Sequence, residues 1–458
     1  MYGFIVLAAY AVLMVIVTIC LSQRSHNTES FHVADRKLGL IQSAMSIAAT
    51  WIWAPALFTS AEKAYTNGLP GLFWFLVPNV LCLLIFVPFG KRMRAQAPEG
   101  ITLSGYMWQR YHSKGVHGAY LFELSALAIL STAVQMLAGA KILAAVTGWP
   151  FWALTIVLAA IAFSYSQYSG IKASVLTDAL QMVLMLACCV LLVPWALSGD
   201  TGLSSLVTGL AGHSGEYTSL FNEKGMEVLL SFGLPTAIGL LSAPFGDQCF
   251  WQRAFSIRED KIGKAFQLGA LFFAVVPLSM GVLGFIAAGS DYVAQDTGMV
   301  NFELVSSLFP GWVMLPFLFM VISGLLSTTD SNLCAVASLT SDFGGGMGTA
   351  KGSMLALLVL AIGIANIPGL AVTDLFLIYG ALRATTMLPT VLTLKGKALS
   401  AGGVTAGVVA SLVIGMPIFV IGTVTGSAAM KTAGSLCALL LSGVICMVTA
   451  PRKGACAV

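Results

Sequence analysis

Apolar runs of about twenty residues recur from one end of the chain to the other, and this repetition limits the fold more than any other feature. A bilayer core of ~30 Å needs roughly 20 apolar residues per helix. In lipid every backbone group must be satisfied within the segment, so spans are helices or closed barrels. A barrel would show ten-residue alternation, which these runs lack. The chain is 58% hydrophobic and 9% charged, whereas a soluble domain carries about 25% charged residues. The reading is an all-α integral membrane protein, one transmembrane domain over 1–458 in the plasma (inner) membrane, with the lipid bilayer as its surroundings and no large soluble domain.

About thirteen spans are expected, at 4–22, 39–66, 70–90, 116–145, 148–168, 171–197, 226–250, 263–289, 309–339, 352–371, 373–393, 401–423 and 432–450. With the N-terminus outside, the inner loops collect Arg24, Arg36, Lys37, Lys91, Arg92, Arg94, Arg110, Lys114, Lys172, Arg253, Arg258, Lys261, Lys264, Lys351, Lys395, Lys397, Arg452 and Lys453. The outer ends keep Lys63, Lys141, Lys224 and Lys431, while Arg383 falls within a span. This asymmetry follows the positive-inside rule and sets an N-out, C-in orientation. The net charge of +4 follows from that topology and calls for no nucleic-acid partner. Phe4 to Leu21 reads as a retained helix rather than a signal peptide. The nine cysteines show no disulfide or metal spacing and behave as small hydrophobes.

Two spans carry breaks. One is Thr50-Trp51-Ile52-Trp53-Ala54-Pro55 and the other Ser231-Phe232-Gly233-Leu234-Pro235-Thr236, five spans later. Proline removes a backbone donor and clashes with the preceding turn. Paired interruptions in two halves point to a binding site between inverted repeats; an ordinary proline kink is the plain alternative for each alone. Repeat one would cover 39–197 and repeat two 226–393, with 4–22, 401–423 and 432–450 as peripheral helices.

Within the ninth span stands Ser327-Thr328-Thr329-Asp330-Ser331. Hydroxyls at such spacing share a helix face and suit a hard cation; isolated ones more often bond back to their own helix. A carboxylate at bilayer depth needs a cation, a proton or a partner. Asp178, early in the sixth span, is the natural companion of Asp330, since two facing carboxylates repel unless a cation or proton lies between them; the plain alternative is a helix-start charge at the interface. Glu123 and Gln135 lie on the fourth span; Asp247, Gln248 and Arg253 read as an inner latch. Trp51, Trp53, Phe73 and Trp74 are candidates for an aromatic pocket, and Trp312 for an interface anchor. No nucleophile–base arrangement for catalysis is visible, so an enzyme is not expected.

Three stretches carry a family resemblance: Ser169-Gly170-Ile171-Lys172-Ala173-Ser174-Val175-Leu176-Thr177-Asp178-Ala179-Leu180-Gln181, Asp247-Gln248-Cys249-Phe250-Trp251-Gln252-Arg253, and Leu326-Ser327-Thr328-Thr329-Asp330-Ser331. With them the chain resembles the sodium:solute symporter family. The resemblance implies a leucine-transporter-type 5+5 inverted repeat with one extra N-terminal helix and two C-terminal helices. It implies sodium held by carbonyls of Ala48, Trp51 and Gly324 and hydroxyls of Ser327 and Thr328. A second cation or proton site would use Asp178, Asp330 and Ser331, where Asp330 departs from the family's hydroxyl. Substrate contacts are expected from Thr50, Trp53, Phe73, Gln135 and Phe232. The Trp51/Trp53 pair and Gly71-Leu72-Phe73-Trp74 look most like the urea branch, from which Pro55 departs. The expected function is sodium-coupled import of a small polar solute, a urea, amino acid, sugar or carboxylate, without an obligate protein partner. A proton-coupled symporter and a passive facilitator are the alternatives. Some members carry a fused kinase, which the eight residues from Pro451 would not accommodate.

Overall fold

The computed structural model describes residues 2–22, 25, 27–199, 201–290 and 292–451. Arg24, Arg452 and Lys453 of the expected inner loops lie outside the described residues. The described chain is helical almost throughout. We label α1 Tyr2–Leu21, α2 Leu40–Trp51, α3 Thr59–Gln96, α4 Lys114–Thr147, α5 Phe151–Ser169 and α6 Ile171–Ser198. There follow α7 Leu234–Gly246, α8 Gln248–Ser256, α9 Ile262–Gly289, α10 Met314–Leu339, α11 Met347–Ala365, α12 Val372–Leu394 and α13 Ala428–Val448. Among the described residues, eleven helices are long and apolar enough to cross a membrane. The chain is a multi-pass membrane protein.

Where spans meet without a loop, glycine makes the joint. α3 merges the end of the expected second span with all of the third, kinked at Gly68 (φ 57°, ψ −148°). That backbone region is all but closed to other residues. A Cβ there would also lie 2.4 Å from the Leu210 carbonyl. Gly170 (φ 60°) is the single residue between α5 and α6, and its missing Cβ leaves room for the Phe31 carbonyl. Small residues also let helices touch: a Cβ on Gly239 of α7 would come within 2.7 Å of the Gly380 Cα on α12.

The first expected break is present. α2 ends at Trp51, Ile52 leaves helical geometry (ψ 78°), and a short helix Ala54–Leu57 resumes with Pro55 in its first turn. Proline is harmless there because that turn's N–H groups have no intrahelical acceptor. The second break differs from expectation. Around Ser231 to Pro235 the chain does not open; Leu229–Gly233 forms a π-helical turn that runs directly into α7. Within the widened turn Leu234 N donates to the Leu229 carbonyl, and the Leu230 carbonyl accepts from Thr432 Oγ1 at 2.8 Å. The interruption comes later, at Asp247, which is extended (φ −113°, ψ 115°) and caps α8 by accepting a bond from Cys249 N at 3.1 Å.

Candidate functional site

Ser327 to Ser331 lie on α10 and are buried, against the break at the end of α2 and the start of α6. The Asp178 carboxylate accepts from Ser327 Oγ at 2.5 Å and from Ser46 Oγ at 2.6 Å. The Asp330 carboxylate accepts from Ser174 Oγ at 2.7 Å and Thr177 Oγ1 at 3.4 Å. Ser174 stands between the acids, 3.5 Å from Asp178 as well. The expected companionship of Asp178 and Asp330 is therefore a shared hydroxyl.

The charge partner of Asp178 is a residue that sequence reading assigned to an inner latch. Arg253, on α8, is 1% exposed and donates from Nη2 to Asp178 at 2.9 Å and to Ser331 Oγ at 2.7 Å. Its Nε donates to Ser46 Oγ at 3.0 Å and its Nη1 to the Cys249 carbonyl at 3.2 Å. A guanidinium thus stands at the acids where a second cation was expected. Gln248, by contrast, does act as a latch, donating to the Ile101 carbonyl at 2.9 Å and Ser338 Oγ at 3.0 Å.

At the other expected sodium position, Thr328 Oγ1 lies 3.0 Å from the Thr50 carbonyl and 3.3 Å from that of Gly324. Ser327 is turned toward Asp178 instead, and the Ala48 carbonyl accepts from Ile52 N at 2.9 Å. The atoms at this position that could ligate an ion, the carbonyls and the Thr328 hydroxyl, are oxygens, the set that suits a small hard cation. Among the described residues no three His, Cys, Asp or Glu side chains come together as a metal group.

Beside this pocket is a small cavity between the two breaks. Its walls are Thr50, Trp51 and Trp53 from one break, Asp247, Cys249 and Phe250 from the other, and Ser131, Thr328, Asn332, Tyr379 and Arg383 from α4, α10 and α12. In this conformation it has room for about one water. Trp51 and Trp53 stack with centroids 5.7 Å apart and planes 17° apart. Gln135 braces the break by accepting from Ala54 N at 2.8 Å. Of the expected substrate contacts, Thr50 and Trp53 line the cavity. Phe73 packs against Trp74, and the Phe232 ring lies 5.1 Å from Lys63 Nζ; neither reaches the cavity.

Sequence reasoning missed Arg383 and the pocket role of Asp247. Arg383 Nη2 donates to Asp247 Oδ2 at 3.0 Å and to the Tyr379 hydroxyl. The signal that Arg383 gave was its place inside a span, where an ionisable residue points to function. The signal for Asp247 was the Pro244-Phe245-Gly246-Asp247 stop and restart.

One end of the bundle is tied by Asp342, which accepts from Thr102 Oγ1 at 2.5 Å and Ser104 Oγ at 2.6 Å and meets His117 at 3.1 Å. Outside the spans, the Lys172 ammonium beside Asp35 holds its carboxyl below the usual range. Burial lowers the His32 imidazole to about 4.

This arrangement is a leucine-transporter-type fold. The chain superposes on a Na+-coupled sialic acid symporter with a TM-score of 0.78 at 16% identity, covering 99% of both chains. It superposes on MhsT in complex with L-phenylalanine with a TM-score of 0.54 at 14% identity, over 90% of this chain and 98% of that one. The chain belongs to the sodium:solute symporter family, which it matches over residues 31–346. The probable urea active transporter 2 of Schizosaccharomyces pombe is 25% identical over 73% of this chain and 53% of its own length. The urea-proton symporter DUR3 of Oryza sativa subsp. japonica is 23% identical over 92% and 66%. The sodium/pantothenate symporter of Haemophilus influenzae is 22% identical over 68% and 64%. The chain thus spans between about half and two thirds of the length of these relatives, which are transporters and not enzymes.

Proposed function

We propose that this protein is a cation-coupled symporter that imports a small polar solute by alternating access. One observation carries the reading. Buried oxygens of α2, α6 and α10 converge beside a cavity that lies between two interrupted helices. Sodium is the proposed ion, held by the Ala48, Trp51 and Gly324 carbonyls with the Ser327 and Thr328 hydroxyls. Asp178, Asp330 and Ser331 form the second polar site. The solute sits at the cavity near Thr50 and Trp53, and the halves 39–197 and 226–393 move against each other around it, with the N-terminus outside. An ion that touches both α2 and α10 favours whichever state brings them together; it shifts that balance only through differential affinity.

Reconstituted into liposomes, the protein should accumulate solute under an inward sodium gradient. Ser327→Ala/Thr328→Ala should lose the sodium stimulation. Accumulation that ignores sodium and survives the double substitution would end the sodium reading. A proton-coupled symporter is the second reading. Arg253 at Asp178 favours it, since a tethered cation already stands at the second site, and so does the rice relative's name. An inward proton gradient alone would then drive uptake. Urea is the first solute to assay, on the strength of the yeast and rice relatives.

A further inference from the structure

The cavity walls hold three hydrogen-bond donors with nothing to donate to. Arg383 Nε and Nη1 are buried and make no hydrogen bond among the described residues, and the same holds for Trp53 Nε1. Both side chains line the cavity. The Arg383 guanidinium is held in place: Nη2 binds Asp247 and Tyr379, and Cζ lies 5.1 and 5.2 Å from the Trp51 and Trp53 rings. Burying a polar group without a partner is unfavourable, so these donors call for an acceptor oxygen: that of the single water the cavity can hold in this conformation, or that of a solute once the cavity opens.

Charge decides which kind of acceptor. Asp247 already neutralises Arg383 at 3.0 Å. An anion would therefore enter as an unpaired buried charge, which is strongly disfavoured. Glu123, just beyond Gly246, also has a partnerless oxygen and offers no positive charge that could answer an anion. A cation would meet N–H groups rather than lone pairs. A neutral carbonyl answers the donors without adding charge, and its own N–H groups can reach the lone pairs that Asp247 has left. The near-parallel tryptophan rings offer flat faces.

Resting on the solute-transport reading above, we infer that the cavity recognises a small, uncharged, planar carbonyl compound of the amide or urea class. Arg383 is the residue that sets this specificity. It selects by its orphan N–H groups, and Asp247 holds it in place and cancels its charge.

The test is equilibrium binding of [14C]urea to the purified full chain in lipid nanodiscs, with no ion gradient, and competition by acetamide, acetate, glycine and guanidinium. Urea should bind, acetamide should displace it, and the three charged or zwitterionic compounds should not. Arg383→Lys keeps the charge beside Asp247 but loses the guanidinium's Nε and Nη donors; it should weaken binding at least tenfold. Trp53→Phe keeps the ring and loses the indole donor; it should weaken binding several-fold and stands in if the arginine variant does not fold. Absence of urea and acetamide binding, displacement by acetate or glycine, or wild-type affinity in both variants would overturn the inference. Because binding needs no gradient, a failure of uptake with binding intact would instead count against symport.

Discussion

Arg253→Met provides the sharpest test of the buried network, because it removes one partner of an ion pair that has no access to water. Asp178 is fully buried and Arg253 1% exposed. The guanidinium also serves Ser331, Ser46 and the Cys249 carbonyl. Breaking a buried pair from one side leaves an uncompensated charge and costs about 3–5 kcal/mol. The remaining bonds from Ser46 and Ser327 are charge-assisted, and bonds to charged groups contribute roughly 1.5–3 kcal/mol each; they keep the loss near the lower figure. Adding Asp178→Asn removes the stranded charge. Replacing both members of such a pair is often close to neutral, so the double variant should recover most of the loss. The double-mutant cycle then gives a coupling energy of about 2–3 kcal/mol. The assay is unfolding of the four proteins in detergent micelles, followed by tryptophan fluorescence, in sodium and in choline. A single variant that loses under ~1 kcal/mol, or two losses that simply add, would refute the pairing. If sodium alone restored Arg253→Met to wild-type stability, a mobile cation would replace the guanidinium there, and the second site would belong to an ion.

Two further predictions concern other parts of the molecule. Gly68→Ala should abolish the folded protein rather than tune it, since it combines a left-handed-side φ of 57° with a Cβ 2.4 Å from a carbonyl oxygen; size-exclusion chromatography of the detergent extract will show aggregate if the reasoning holds and a normal peak if it does not. His32 titrates near 4 because it is buried. Its folded value lies below the unfolded one, so its neutral form stabilises the protein fully above about pH 6.5 and this stability drains away as pH falls toward 4, by up to about 3 kcal/mol. His32→Phe should flatten that acid limb in a pH series of thermal unfolding, and an unchanged limb would place the acid sensitivity elsewhere.

The membrane spans were legible because lipid imposes one rule on every segment, and the apolar runs show it without help from neighbours. The break at Ile52 and Trp53 was legible for a similar reason, since Pro55 works locally. Pro235 misled because a local signal met a local remedy: the π-helical turn at Leu229–Gly233 accepts the proline without opening the helix. The real interruption at Asp247 rests on an aspartate that caps the next helix, a quieter signal than proline. The pairings of Arg253 with Asp178, 75 residues away, and of Arg383 with Asp247, 136 away, were not legible. Nothing local in the sequence says which of several buried acids an arginine will meet. Asp178 and Asp330 were found because a carboxylate at that depth must have a reason, while Arg383, inside a span, announced a need for a partner without naming it, and Arg253 read as an inner-loop charge.

The Thr50 hydroxyl lies 2.8 Å from Ser331, and its carbonyl 3.0 Å from Thr328 Oγ1. Thr50 and Thr328 also form part of the cavity wall. The polar pocket and the proposed solute cavity are therefore two rooms with one partition, and no relay is needed to carry a signal between them. Such an arrangement ties the evolution of one site to the other. A change that reshapes the cavity at Thr50 moves an oxygen of the neighbouring site in the same stroke, so a shift in solute preference and a shift in the driving ion should tend to arrive together.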